Sequence, residues 1–242
     1  MGTGTGTTGR GKTLRRTLFG KWAFLALMMA VSTGHEPAAA SESENADLAR
    51  GEALYKLCTQ CHGSAGGGNS AALAPAIANL PQWYVEKQLT KFKQGIRGLH
   101  HKDTGGLRMY PMSQWLRDDA DIRDVAAYVA RLPETAPSHE LGDVGDPTRG
   151  QGYYAVCSAC HGPDARGNEP MGAPPLVGLN DWYIETSLRK YKAGIRGGDP
   201  RDALGSAMIG MAGTLPNDQA ILDVIAHIQS LDSASDPSAE KE

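Results

Sequence analysis

The chain has 242 residues, of which 40% are hydrophobic and 6% aromatic, proportions that are ordinary for a soluble globular protein of one or two domains. Its formal net charge is −3, and without the first 40 residues it keeps 19 basic and 26 acidic residues, a net charge of −7. This acidic balance argues against nucleic acid as a partner.

Residues 1–40 have the pattern of a secretory signal peptide. Five basic residues precede an apolar run from Trp22 to Val31, and Ala38-Ala39-Ala40 offers a small-x-small cleavage site. The apolar run is shorter than the roughly 20 residues that span a bilayer, so an uncleaved anchor is the weaker alternative. Arg15-Arg16 matches a twin-arginine signal only loosely. We therefore predict export to the periplasm and no membrane span in the mature chain.

The segment Cys58-Thr59-Gln60-Cys61-His62 has the C-x-x-C-H pattern of covalent haem c attachment. It recurs as Cys157-Ser158-Ala159-Cys160-His161, and these two segments contain all four cysteines. Two thiols at this spacing can each bond to a haem vinyl group, and the histidine that follows becomes an axial ligand of the iron. The sequence thus predicts two haem c groups, with the cysteines as covalent anchors and His62 and His161 on the iron.

Three other uses of paired cysteines fit this chain less well. Zinc ribbons bring their C-x-x-C knuckles within about 15 to 20 residues of each other, whereas these pairs lie 99 residues apart. A thioredoxin-like dithiol needs one pair in a βαβ setting, and structural disulfides do not require a histidine after each pair. Haem attachment also agrees with export, because unprotected thiol pairs oxidise outside the cytoplasm.

The offset of 99 residues extends well beyond the cysteines. Trp83-Tyr84 pairs with Trp182-Tyr183, and about two in five positions from Arg50 to Leu132 are identical to their counterparts without any insertion. We therefore predict two copies of one domain, each separately folded, joined through the polar stretch 133–145. The predicted boundaries are domain one at 41–136, a linker at 137–145, domain two at 146–232 and a flexible tail at 233–242.

Each copy shows three helical stretches and no competing strand pattern, so the predicted fold class is all-α. The first stretch begins in copy two at Asp146 and Pro147, which suit an N-cap and first turn, and it ends in the haem peptide. The second keeps apolar residues at helical spacing up to Gly95 or Gly194. The third carries an apolar stripe, from Ile122 to Leu132 in copy one.

Methionines supply the candidates for the second axial ligand, because a thioether is a soft donor that stabilises ferrous iron. One iron face takes one sulfur, so one member of each repeated pair only packs the pocket, and the repeat does not choose between them. A bis-histidine site using His100 or His101 is the weaker alternative, since neither histidine is repeated. The repeated methionines are Met109, Met112, Met208 and Met211.

Taken together, these features resemble the dihaem class I cytochromes c of the c4 type. The shared features are an early C-x-x-C-H, a later methionine in a loop, a last amphipathic helix, and two such units in tandem, and the likeness covers residues 45–232. In that family the ligand methionine lies seven residues before a leucine that precedes the last helix. Leu116 and Leu215 have the position of that leucine here. The resemblance implies Met109 and Met208 as iron ligands, in two tandem class I cytochrome c domains that each enclose one haem.

The resemblance also implies roles away from the iron. Family members use a proline carbonyl to hold the proximal imidazole, and Pro75 and Pro174, each 13 residues after its histidine, match that position. The alternative is that these prolines only shape their loops. Four other repeated residues have two open interpretations, contact with haem propionates or plain capping and packing: Arg97, Arg196, Trp83 and Trp182.

We therefore predict an electron carrier, not an enzyme, that works as a monomer or as a subunit of a respiratory complex. The resemblance implies redox proteins as partners, with a cytochrome bc complex or a dehydrogenase as donor and a haem-copper oxidase as acceptor. The alternatives are a cytochrome subunit of a larger oxidase or dehydrogenase complex and, with less support, a dihaem peroxidase, which must leave one iron open.

The two domains differ in charge. Residues 47–132 carry 11 basic and 8 acidic residues, whereas residues 146–232 carry 7 and 10. The domains are therefore +3 and −3 before haem propionates are counted. One hypothesis is that each domain faces a different redox partner, and the equal alternative is a solvated surface whose imbalance has no function.

Overall fold

The computed structural model describes residues 1–2 and 46–233. The predicted signal peptide, apart from its first two residues, and the tail beyond residue 233 lie outside the described residues. Both repeats belong to one compact unit. Its described part is helical, with two isolated β-bridges and no strand, so the all-α prediction is confirmed. No helix in this part of the chain combines the length and apolar character needed to cross a membrane.

The helices follow the same order in each half. In the first half they are α1 (Leu48–His62), α2 (Gln82–Lys93), α3 (Thr104–Gln114) and α4 (Asp119–Val129). In the second half they are α5 (Pro147–Tyr154), α6 (Ser158–His161), α7 (Asp181–Lys192), α8 (Ala203–Gly213) and α9 (Asp218–Ser233). Helix α1 therefore corresponds to α5 and α6 together, and the second-half helix breaks just before its haem peptide.

Side-chain caps start the first helix of each half. The Asp47 carboxylate accepts a hydrogen bond from the Arg50 amide at 3.0 Å. The Asp146 carboxylate accepts from the amides of Thr148 and Arg149, and Pro147 occupies the first turn, as predicted. These bonds satisfy amides that the helix itself leaves free, so the caps fix where each haem-bearing helix begins.

The methionines lie on helices, and the expectation of a methionine loop was wrong. Met109 and Met112 belong to α3, and Met208 and Met211 belong to α8. Asp103 starts α3 by accepting from the Gly106 amide at 3.1 Å, as its counterpart does in α8. Glycines and Pro111 disfavour a helix prediction for these segments, because both residue types have poor intrinsic helix propensity. In the structure, the cap and the tertiary packing outweigh that low propensity.

In each half, the first helix packs against the last helix at a glycine. A Cβ added to Gly51 would lie 2.2 Å from the Asp124 carbonyl oxygen, and one added to Gly150 would lie 1.9 Å from that of Asp223. Only glycine allows backbones to approach this closely. The crossing thus fixes the haem-bearing helix against the buried apolar face of α4 or α9.

The two halves contact each other through buried polar groups. The Asn180 side-chain oxygen accepts from the Ala76 amide at 2.6 Å, and the Asn79 amide donates to the Gly178 carbonyl at 3.0 Å. The linker is tied down as well, because the Asp181 carboxylate accepts from two linker amides, at Glu140 and Leu141. These bonds make the connection an ordered part of the interface.

A second set of contacts between the halves is reciprocal. Lys91 pairs with Asp202 at 2.6 Å, and Lys190 pairs with Asp103 at 2.7 Å. Each lysine lies 99 residues from the other, as does each aspartate. Equivalent residues therefore make equivalent contacts in both directions, as expected where two copies of a domain meet around an approximate two-fold axis.

Candidate functional site

Each haem peptide lies at the end of a helix, with its histidine buried. His62 ends α1 and His161 ends α6, and both side chains are largely shielded from solvent. A glycine with positive φ follows each histidine, and its carbonyl accepts a hydrogen bond at 2.8 Å from the hydroxyl of Tyr55 or Tyr154. These tyrosines hold the chain as it leaves the haem peptide.

A backbone carbonyl orients each histidine ring. His62 Nδ1 donates to the Pro75 carbonyl at 2.8 Å, and His161 Nδ1 donates to the Pro174 carbonyl at the same distance. Burial lowers the pKa of both imidazoles, even though the carbonyls favour protonation, so the rings are neutral near pH 7. A neutral ring with Nδ1 engaged leaves Nε2 as the nitrogen that can bind a metal.

A glycine with positive φ lets the proline loop approach the histidine. Gly68 has φ of 88°, and a Cβ there would lie 2.5 Å from the Ala76 amide nitrogen. Its amide also donates to the His62 carbonyl at 3.0 Å. Gly167 repeats this arrangement in the second half. The glycine therefore places the carbonyl that orients the ring.

Both methionines of each pair line the cavity that contains their histidine. The first cavity includes Met109 and Met112, and the second includes Met208 and Met211. In each pair the second methionine is more exposed, with 37% of Met112 and 39% of Met211 accessible. The structure thus brings both candidates to the site, and the assignment of Met109 and Met208 stays a prediction.

The cavity walls are mostly apolar side chains. The first half contributes Leu54, Leu80, Val85, Leu89, Phe92 and Val129, among others. The second half contributes Leu176, Leu179, Ile184, Leu188, Val224 and Ile228. Burial raises the pKa of the Cys58 thiol to about 11, which reflects the dryness of this environment. Such walls suit a large apolar macrocycle, which would complete the marginal core of each half.

Two arginines, Arg196 buried and Arg97 half-buried, supply positive charge between the two cavities. Arg97 lines the first cavity and Arg196 the second, and each guanidinium donates to the hydroxyl of Tyr183. Burial alone would raise the pKa of Tyr183, but these two charges lower it to about 7. Among the described residues, Arg97 Nε is a buried donor without a hydrogen-bond partner. An anionic group therefore fits here, and haem propionates are such groups.

The residues present therefore fit a covalently attached haem in each half. Cysteines, an oriented neutral imidazole, a thioether, apolar walls and an arginine occur together in each cavity. His100 and His101 lie elsewhere: His100 is half-buried and His101 exposed, their rings stack with centroids 4.7 Å apart, and neither lines the first cavity. The bis-histidine alternative thus has no support from the described geometry.

Sequence reasoning missed the residues that both cavities share. Tyr84, Gln88 and Tyr183 line the two cavities at once, and Arg196 donates to the Tyr84 hydroxyl at 3.1 Å. The repeated Trp-Tyr pair was the available signal, but the repeat alone does not tell which surface of a domain faces its twin. Trp83 and Trp182 line neither cavity, and Trp182 Nε1 is buried without a partner among the described residues.

Comparison with known proteins identifies one family in both halves of the chain. A family model described as cytochrome c matches residues 48–133 and again residues 147–232. Among solved structures, reduced recombinant cytochrome c4 from Pseudomonas stutzeri superposes with a TM-score of 0.61 at 25% identity, covering 76% of this chain and 98% of that one. The tandem arrangement and the fold are therefore shared with a cytochrome c4.

Curated relatives include electron-transfer proteins from several bacteria. The chain is 33% identical over 152 residues to thiosulfate dehydrogenase electron acceptor from Thiomonas intermedia (strain K12), covering 59% of this chain and 66% of that protein. The protein of the same name from Stutzerimonas stutzeri (strain A1501) is 29% identical over 187 residues, covering 67% of this chain and 80% of that protein. Cbb3-type cytochrome c oxidase subunit FixPc from Rhizobium leguminosarum bv. viciae is 33% identical over 157 residues, covering 62% of this chain and 51% of that protein. The chain thus covers less than two thirds of two of these relatives.

Proposed function

The chain belongs to the cytochrome c family, and on that premise we propose that it is a periplasmic carrier that passes single electrons between a respiratory donor and a terminal acceptor. It carries two haem c groups, one in each half. When bound, haem supplies reversible one-electron oxidation and reduction. The protein contributes attachment, ligand orientation and an apolar, water-poor environment.

We assign the following roles to individual side chains. Cys58, Cys61, Cys157 and Cys160 would hold the haems as thioethers. His62 and His161 would supply one axial ligand each, with ring orientation set by the carbonyls of Pro75 and Pro174. Met109 and Met208 would fill the opposite iron face. Arg97 and Arg196 would balance the propionates.

One observation carries this proposal: each cavity is lined by an anchored histidine and by a methionine pair from a different helix. An iron with both axial positions taken by the protein has no coordination site for a substrate. This arrangement supports electron transfer over a dihaem peroxidase, which needs one open iron. The repetition in both halves supports the same role for both haems.

Partners are proposed from the chemistry and the relatives together. Redox proteins fit as partners on both sides: a dehydrogenase or a cytochrome bc complex as donor, and a haem-copper oxidase as acceptor. A second candidate function is a subunit within a larger dehydrogenase or oxidase complex, which is favoured by relatives named as a dehydrogenase electron acceptor and an oxidase subunit. Co-purification of a stable complex without crosslinking would favour the subunit role over the free carrier.

The processing and domain limits are part of the proposal. We propose cleavage after Ala40, which would release a mature chain with domains at 41–136 and 146–232. N-terminal sequencing of the protein from a periplasmic fraction tests this directly. Recovery of the intact N-terminus in the membrane fraction would instead indicate an anchored form.

Absorption spectroscopy tests the electron-carrier function. Pyridine haemochrome analysis is expected to give two c-type haems per chain. The ferric protein is expected to be entirely low-spin, with a charge-transfer band of methionine-ligated iron. A high-spin component, or one haem per chain, would contradict the proposal.

A further inference from the structure

The mouth of the first cavity carries a group of exposed side chains that we call the domain-one rim. It consists of Leu73, Arg108, Met112 and Trp115, all of which line the cavity and are exposed. Trp115 is 64% accessible, more than any other large hydrophobic side chain within residues 46–233. Tryptophan and arginine are the residue types that most often dominate protein interfaces.

The second half lacks the two distinctive members of this rim. Arg108 corresponds to Ala207, and Trp115 corresponds to Thr214. Met112 has its counterpart in Met211, which is similarly exposed. The difference is therefore a cation and a large aromatic ring, both present only on domain one.

Both halves have a leucine at this part of the cavity mouth, but it comes from different positions in the sequence. Leu73 adopts φ of 54°, a left-handed conformation that is unfavourable for leucine, whereas its counterpart Gly172 has φ of 66°. A Cβ on Gly172 would lie 2.5 Å from the Leu204 side chain, and the counterpart of Leu204 is Gly105. Each half thus places one leucine at this position, from a loop or from a helix. Both cavities have exposed apolar lining residues, and Arg108 and Trp115 give domain one a cation and a tryptophan that domain two lacks at the equivalent positions.

Charge around the rim is suited to an acidic partner. Arg108 donates to the Ala72 carbonyl at 2.8 Å, which holds its guanidinium beside the cavity mouth. Within residues 46–233, no carboxylate lines the first cavity. Asp118, three residues after Trp115, lies 4.0 Å from Arg50, and Arg117 pairs with Asp121 at 3.2 Å. Domain one as a whole is +3, whereas domain two is −3.

We propose that the domain-one rim is the docking site for the acidic face of a redox protein partner. Trp115 provides the apolar anchor, and Arg108 provides the charged contact beside the cavity mouth. In one encounter the partner loses one electron and this chain gains one, with no bond made or broken. This inference rests on the proposed electron-carrier function and adds the partner's chemistry and the domain that it approaches.

Stopped-flow reduction tests the proposal with reduced plant-type [2Fe–2S] ferredoxin as an acidic one-electron donor. The oxidised full-length holoprotein is mixed with this probe at low and at high ionic strength. We expect Arg108→Gln to lower the second-order rate about threefold and Trp115→Ala about fivefold at low salt. Salt is expected to slow the wild-type reaction and to shrink the Arg108→Gln effect.

Two matched variants serve as controls. Arg131→Gln makes the same charge change in the same domain, at an exposed residue that does not line the cavity. Thr214→Ala alters the position equivalent to Trp115 on domain two. Both are expected to react within about 1.5-fold of wild type, because neither lies on the rim. Equal slowing by rim and control variants, or wild-type rates for both rim variants, would overturn the proposal.

Reduction by durohydroquinone, a small neutral donor, separates this proposal from the one on which it rests. If the rim variants keep wild-type spectra and durohydroquinone rates while ferredoxin reacts more slowly, Trp115 and Arg108 act in docking and not in haem packing. If the wild-type protein accepts no electrons from durohydroquinone, the electron-carrier function itself fails. Sedimentation tests whether a second copy of this chain occupies the rim instead. A dimer that dissociates in Trp115→Ala would contradict the proposal.

Discussion

At the residue scale, the site depends on small groups of atoms that the sequence arranges twice. The C-x-x-C-H spacing predicted the haem anchors and the proximal histidines, and the carbonyl of the proline 13 residues later accepts a hydrogen bond from the ring nitrogen in both halves. Neither the spacing nor the structure chooses between the two methionines of a pair. On a helix, residues three apart share a face, so both reach the same cavity.

Substitution of the methionines one at a time assigns the ligand. Met109→Ala and Met208→Ala are each expected to remove about half of the ferric methionine–iron band, because each takes the sulfur from one of two irons. Absorption of the oxidised protein measures this. Met112→Ala and Met211→Ala are the matched controls, since they remove an equal side chain three residues away. Loss of the band in the controls and its retention in the first pair would reverse the assignment.

The buried carboxylate of Asp223 should make the free energy of unfolding depend on pH. Hydrogen bonds from Arg149 hold the pKa of Asp223 at about 2, below its usual 3.8. A depressed carboxyl pKa adds stability that is complete above about pH 4 and is lost as the pH falls towards 2, because the unfolded chain takes up the proton first. We expect the free energy of unfolding, measured with denaturant, to be insensitive to this group from pH 5 to 7 and to fall below pH 4.

Asp223→Asn tests that origin. The variant is expected to lose about 1 to 3 kcal/mol at pH 7, since a charge-assisted bond becomes a neutral one at a buried site, and to show a shallower fall below pH 4. Glu52→Gln, at an exposed position, serves as the control. Parallel pH curves for wild type and Asp223→Asn would rule out this carboxylate as a source of the acid sensitivity.

At the scale of elements, helices with apolar stripes and caps were predictable and the methionine helices were not. The stripe from Ile122 to Leu132 became α4, and Asp146 caps α5 as predicted. Helices α3 and α8 were hidden by glycine and proline, whose low propensity is outweighed by capping and tertiary contacts. The tight crossing at Gly51 and Gly150 was equally hidden, because a glycine in a sequence does not show which backbone approaches it.

The exchanged leucine and glycine pairs offer a test of packing between elements. Gly172→Leu is expected to cost about 2 kcal/mol, because a Cβ there would contact Leu204 and the φ is positive. Adding Leu204→Gly recreates the first-half arrangement and should recover part of that loss. Denaturant unfolding of the single and double variants measures the coupling. If the changes in unfolding free energy of the two single variants simply add in the double variant, the two positions are not coupled and this account of the packing is wrong.

At the scale of the whole molecule, the two halves form one interface in which equivalent residues contact each other in both directions. The repeat predicted two copies, but it did not predict that Lys91 and Lys190 reach across to aspartates of the opposite half. Contacts between copies are absent from any pattern within one copy. Tyr84 and Tyr183 lie at this interface and line both cavities, so the interface also sets how close the two haem sites lie.

The interface lysines have a measurable role in stability. Lys190→Met is expected to lower the free energy of unfolding by about 2 kcal/mol, because it leaves the buried Asp103 carboxylate without its cation. Lys190 lowers the pKa of Asp103 against the opposing effect of burial, so the loss should be largest above pH 4. Lys56→Met, at an exposed residue of α1, is the control. An equal loss in both variants would show that the ion pair is not responsible.

Reductive titration of the purified holoprotein tests the central claim most directly. Two haems that each exchange one electron predict uptake of two electrons per chain, full reversal on oxidation, and low-spin spectra at both end points. Addition of hydrogen peroxide to the reduced protein should give no catalytic turnover. Uptake of a single electron, or sustained peroxide consumption with a high-spin haem, would contradict a dihaem electron carrier.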